Sequence, residues 1–270
     1  GRCKRIMTTI SSAGLKAFNA ENVQDKVNFT FDAAKSWFSG ELDLKFEHPI
    51  PQRPGRPLKP ELLAPQDMPR RRNAKARAAR IAMLHAIAHI ELNAIDLAWD
   101  IVLRFGADMP REFIDDWVKV ADDEARHFEL LNNRLEELDS YYGAHPAHDG
   151  LWQSASTTAH DLLARLAIVP LVLEARGLDV TPAIIEKFKS ADDLKSVEAL
   201  EIIYEEEIDH VRAGQRWFSY LCEQKNIDPE QSYHNLVNTY FTGKLKPPFN
   251  KEARKMAGLM ENFYLPLVSK

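Results

Sequence analysis

The stretch Val120-Ala-Asp-Asp-Glu-Ala-Arg-His-Phe-Glu-Leu-Leu131 decides the reading of this chain, because it sets Glu124 and His127 three residues apart among apolar neighbours. Residues at i and i+3 share one face of an α-helix. Trp117, Val120, Ala121, Phe128 and Leu131 fall on that face, so the carboxylate and the imidazole are expected to point into a core. The spacing returns at Glu207 and His210, on a stripe with Leu200, Ile203, Tyr204, Val211, Gly214 and Phe218.

Two single glutamates complete a repeat. Glu91 lies 33 residues before Glu124 and Glu174 lies 33 before Glu207, so the second half echoes the first at an offset of 83. Glu91 shares its face with Leu84, Ile87, Ala88, Ala94, Ile95 and Ala98, and Glu174 shares its own with Leu163, Ala167, Leu171 and Leu178. An ionised carboxylate in a low-dielectric core costs several kcal/mol even after relaxation, so four pointing inward require cations among them. Two divalent ions balance four carboxylates and leave both imidazoles neutral. The order Glu, Glu-x-x-His, Glu, Glu-x-x-His is the ligand set of a two-metal carboxylate centre inside a four-helix bundle. Oxygen-rich ligation with one histidine per ion favours iron or manganese over zinc. The alternative is a helical bundle whose Glu and His are solvated or paired.

Composition narrows the class. A formal charge of −5 over 270 residues argues against general binding to nucleic acid or anionic membranes. The basic run Arg70, Arg71, Arg72, Lys75, Arg77 and Arg80 is expected to be a solvated helix start. No apolar stretch approaches the roughly 20 residues that span a bilayer, so no membrane span is expected. Cys3 and Cys222 are the only cysteines, which suits a reducing, cytoplasmic setting. The first twenty residues lack Asp and Glu, so organellar import stays open, and Gly1 to Ile6 carry no functional weight.

The expected fold is all-α. Residues 1–74 form an N-terminal cap and a strap with seven prolines from Pro49 to Pro69, 75–225 the four-helix bundle, and 226–270 a C-terminal helical segment packed on it. A helix from about Arg71 is expected to end at a Gly106 cap, and one opened by Pro110 to run to about Ser140. A third spans about Trp152 to Arg176, kinked at Pro170 and stopped by Gly177. Thr181 and Pro182 start a short helix, one from about Asp192 to Glu223 carries Glu207, and the last covers about Lys251 to Phe263.

On these residues the chain resembles the ferritin-like superfamily of di-iron carboxylate proteins over roughly 75–225. Pro54-Gly55-Arg56-Pro57 and Pro248-Phe-Asn-x-x-Ala-Arg254 extend the likeness to an uncharacterised ferritin-like family, distantly similar to the tRNA-modifying di-iron hydroxylase. The resemblance implies Glu91, Glu124, His127, Glu174, Glu207 and His210 as ligands of two iron ions, with manganese or a mixed pair as the substitute. It also implies that Arg126 supports the ligands without touching metal. Asp209 occupies the equivalent place in the second motif, and the two are expected either to pair and orient the imidazoles or to form ordinary surface pairs of their own. Tyr204, one turn before Glu207, is a candidate pocket residue, though a core role fits it better. His85 and His89 are not expected to be ligands, nor are His145, His148 and His160; Trp99, Trp117, Trp152 and Trp217 are packing anchors.

The expected function is an oxygen-dependent di-iron oxidoreductase, a hydroxylase or related oxygenase. Its partners would be a small-molecule or modified-nucleotide substrate and an electron donor. Ferroxidase, iron-handling or peroxide-removing chemistry on the same ligands is the second reading, and a metal-stabilised interaction module the third.

Overall fold

The computed structural model describes residues 8–69 and 76–268 and is all-α, apart from one pair of two-residue strands. The basic residues Arg70, Arg71, Arg72 and Lys75, together with Cys3 and the first six residues, lie outside the described residues. The chain groups into two units, one of 8–69 with 81–148 and one of 76–80 with 149–268.

In the first unit, α1 (Ile10–Asn19) and α2 (Val23–Phe38) start at side-chain caps, Thr9 accepting from the Ser12 amide and Asn22 from that of Asp25. Two longer helices follow, α3 (Ala76–Phe105) and α4 (Arg111–Glu137). Every residue of α3 from Glu91 to Asp100 is buried, and Leu92, Asn93, Ile95, Asp96, Trp99 and Asp100 are all at most 1 % exposed. By length and composition this helix could cross a membrane, which corrects the expectation that no apolar stretch is long enough to do so. The stretch is instead 67 % buried within the protein, as a core helix is.

Gly106 does end α3, but not as a left-handed cap. A Cβ there would lie 2.8 Å from Ile114 Cδ1 and from Phe46 Cζ, so any side chain would require those two to shift. The proline-rich strap is tied down along its length. Arg104 donates to the Pro51 carbonyl, the Gly55 amide donates to the Phe18 carbonyl, and β1 (Leu62–Leu63) pairs in parallel with β2 (Ala147–His148).

The second unit corrects several helix boundaries. The expected third helix is divided into α5 (Gly150–Thr157), α6 (Leu162–Ile168) and a π-helical turn, Val169–Glu174, that feeds directly into α7 (Ala175–Ser190). Pro170 lies in the π turn, whose wider ring accommodates the missing donor. Its ring is admitted by Gly214, where a Cβ would come within 2.5 Å of Pro170 Cβ. Gly177 does not stop the helix, and Pro182 lies inside α7 instead of starting a new one. The carbonyl of Leu178, deprived of its usual i+4 donor by Pro182, accepts from Asn250 Nδ2 at 3.1 Å. That tertiary bond offsets the break that proline would otherwise impose.

The chain continues through α8 (Leu194–Lys225), α9 (Pro229–Tyr240), α10 (Lys251–Met256) and α11 (Glu261–Tyr264). Gly258, at a φ of +77°, separates the last two, which sequence periodicity runs together. Asp193 caps α8 and Asp228 caps α9. Arg165, 2 % exposed, donates to the Thr158 hydroxyl and the Ala155 carbonyl, placing a cation at the C-terminal end of α5.

Candidate metal centre

Within the first unit, α3 supplies Glu91 and α4 supplies Glu124 and His127, all at most 5 % exposed. His127 Nδ1 lies 3.5 Å from Glu91 Oε2 and 3.6 Å from Glu124 Oε2. One ligand atom from each residue lies within 4.8 Å of the others. These separations exceed the usual N–H···O length. They approach the roughly 3.0–3.5 Å between two ligands that each stand ~2.1 Å from one ion. Two carboxylates and one imidazole therefore make a donor set that fits a divalent cation.

The second unit repeats the local geometry. His210 Nδ1 stands 3.5 Å from Glu207 Oε2 on α8, beside the 3.6 Å of the first pair. His210 is 1 % exposed, whereas the Glu207 side chain is 14 % exposed. Glu174 closes the π turn, and α7 after it packs on α8. Gly177, three residues beyond Glu174, brings the α7 backbone next to Glu207: a Cβ on it would lie 4.0 Å from Glu207 Cγ.

The remaining candidates have these partners. Arg126, its own side chain exposed, donates to the buried Asp123 on its own helix at 2.8 Å, and Asp209 accepts from Arg212 at 2.5 Å in a pair exposed on both sides. The Tyr204 hydroxyl accepts from Asn250 Nδ2 at 2.8 Å. His89 is engaged away from Glu91: its Nε2 bonds the His148 carbonyl and its Nδ1 the Tyr142 hydroxyl. His85 accepts from the Gly143 amide at 3.0 Å. Burial, which disfavours the charged imidazolium, lowers the pKa of both histidines to about 4. His160 bonds the exposed Tyr240 hydroxyl, and His145 meets the His85 ring edge-on. Trp99, Trp117, Trp152 and Trp217 are all buried, as packing anchors should be.

Two buried polar clusters carry the sequence motifs and were not legible as partners. Around Pro54 to Pro57, Arg56 donates to Asp96 and Asn93 of α3, and Asp96 also holds Lys26 of α2 at 2.6 Å. Burial depresses the Lys26 pKa while the adjacent Asp96 carboxylate opposes that shift. Around Pro248 to Arg254, Arg254 forks onto both oxygens of Asp179 at 2.9 and 2.7 Å, with its guanidinium over the Phe249 and Tyr264 rings. Asn250 adds bonds to Leu178, Tyr204 and the Asp179 carboxylate. The available signal was charge out of place: Lys26 and Asp96 interrupt apolar helix faces.

The model of a family described as "Protein of unknown function (DUF455)" matches residues 19–265. An "Uncharacterized protein" of Haemophilus influenzae is 42 % identical over 212 residues, covering 76 % of this chain and 73 % of that protein. No solved structure matches the chain.

Proposed function

Since the chain belongs to that family, whose description assigns no activity, we propose its function from its own residues: a di-iron carboxylate oxidoreductase of the ferritin-like type that uses dioxygen, as a hydroxylase or related oxygenase. Glu91, Glu124, His127, Glu174, Glu207 and His210 hold the two ions. The observation that carries the reading is the repeated Glu-x-x-His geometry, with Nδ1 to Oε2 separations of 3.6 and 3.5 Å at positions 83 residues apart. A structural ion pair has no need of such a repeat, whereas two equivalent ions do.

When bound, two iron ions supply the paired one-electron changes that reaction with dioxygen requires. The chain supplies the rest. Four carboxylates match the charge of two divalent ions, and the neutral imidazoles add no further charge. Ala88, Leu92 and Ile95 flank Glu91, while Trp117, Ala121, Phe128 and Leu131 flank Glu124 and His127, all nearly inaccessible to solvent. Such walls keep bulk water from the ligands and protect an oxidising reaction from side chemistry.

The test is elemental analysis of native protein and of Glu124→Ala, then anaerobic ferrous loading and oxygen uptake with a reductant. About two iron ions per chain, a large loss in the variant, and oxygen consumption sustained by the reductant are expected. Absence of metal uptake by the native protein would sink the reading. Metal uptake without oxygen consumption would leave the ions a structural role.

A further inference from the structure

The carboxylates of the candidate centre are unequally covered. Glu124 and Glu91 side chains are 1 % and 6 % exposed, whereas Glu207 is 14 % exposed and Glu174 is only half-buried. Solvent thus reaches part of the Glu174 and Glu207 side chains within the second unit, although Glu174 Oε2 itself is inaccessible. The residue standing there is Gly177, which follows Glu174 by three positions and so shares its helix face.

No packing demand explains a glycine at that position. A Cβ added to Gly14, Gly55 or Gly214 would lie 2.9, 2.1 or 2.5 Å from a neighbour, so contact enforces those three. At Gly177 the nearest atom met, among the described residues and beyond the helix's own backbone, is Glu207 Cγ at 4.0 Å. Its φ is not among the positive ones, and it sits in the first turn of a 16-residue helix where alanine would be more stable. What the missing side chain leaves is open space directly beside a ligand carboxylate.

The rim of that space is held in place. Arg176 donates to the Lys246 carbonyl at 2.9 Å, and the Leu178 carbonyl accepts from Asn250. The C-terminal segment is therefore fastened to α7 on both sides of Gly177. Asn250 also fixes the Tyr204 hydroxyl, one helical turn before Glu207.

We propose that Gly177 forms the mouth of the metal centre, the passage by which ferrous ions and small reactants reach Glu174 and Glu207. This inference rests on the metal-binding reading above, and the experiment separates the two. Ferrous ions are loaded anaerobically into wild type, Gly177→Ala, Gly177→Val and Gly177→Leu, and their extraction by excess bipyridine is followed by its colour. Equal occupancy is expected, with extraction slowing in the order Gly, Ala, Val, Leu and by about tenfold at Leu. Should Leu displace Glu207 and lower its own occupancy, Ala and Val still grade the effect. Wild type and fully loaded variants that release iron at one common rate would overturn the proposal. A wild type that takes up no iron would instead overturn the metal-binding reading on which it stands.

Discussion

At the residue scale, what a histidine does follows from what faces it. His127 and His210 each point Nδ1 at a glutamate one turn away, and that relation is local enough to be legible from spacing alone. The partners of His85 and His89 are not local: the Gly143 amide is 58 positions from His85, and the His148 carbonyl is 59 from His89. Periodicity specifies a face but not the group opposite it, so their burial in a hydrogen-bonded cluster could not be read in advance. The consequence for stability has a definite sign. His85 holds its pKa near 4 in the folded chain, below its ordinary value of 6.5, so the unfolded chain binds more protons between those limits. Its contribution is complete above pH 6.5 and is lost as pH falls towards 4. Urea unfolding measured across that window should show stability declining on acidification. His85→Gln, which keeps an acceptor for Gly143, should flatten the slope by up to about 1.4 kcal/mol per pH unit. An unaltered slope would mean that His85 does not stay neutral in the folded state.

At the element scale, the helices carrying the candidate ligands were legible and their interruptions were not. Gly177 and Pro182 read locally as a stop and a start, yet α7 runs through both because Asn250, some seventy residues on, satisfies the Leu178 carbonyl. The same segment brings Arg254 onto Asp179, both side chains at most 2 % exposed. Breaking a buried pair leaves one charge uncompensated and typically costs about 3–5 kcal/mol. Arg254→Met is therefore expected to lower unfolding free energy by that amount, and the double change with Asp179→Leu to recover much of it. A double variant no more stable than Arg254→Met would show that the Arg254 stacking on Phe249 and Tyr264, not the charge pair, dominates. Gly214 offers a second test, because any Cβ there strikes the Pro170 ring. Gly214→Val should cost about 1–3 kcal/mol through overpacking, read by denaturant midpoint at constant m-value.

At the scale of the whole molecule, the repeat poses a question that neither half answers by itself. Each half offers two carboxylates and one imidazole, enough to neutralise one divalent ion, so two independent sites and one shared centre have the same ligand count. They differ in linkage. Independent sites predict that Glu91→Ala leaves one ion per chain, bound with unchanged affinity, and that Glu207→Ala leaves the other. A shared centre predicts that either substitution weakens both ions together, since each carboxylate balances charge contributed by the pair. The proposed oxygen chemistry requires the second behaviour, because its electrons come from two ions acting on one molecule. Thermal unfolding with and without ferrous or manganous ion reads the same quantity independently. Ion at about 100 times its dissociation constant stabilises the folded chain by about 2.7 kcal/mol per site. Titration of the native protein should therefore raise Tm in one concerted rise that both single variants lose. Two separable rises, each abolished by only one variant, would refute the shared centre and return the protein to a pair of mononuclear, structural sites.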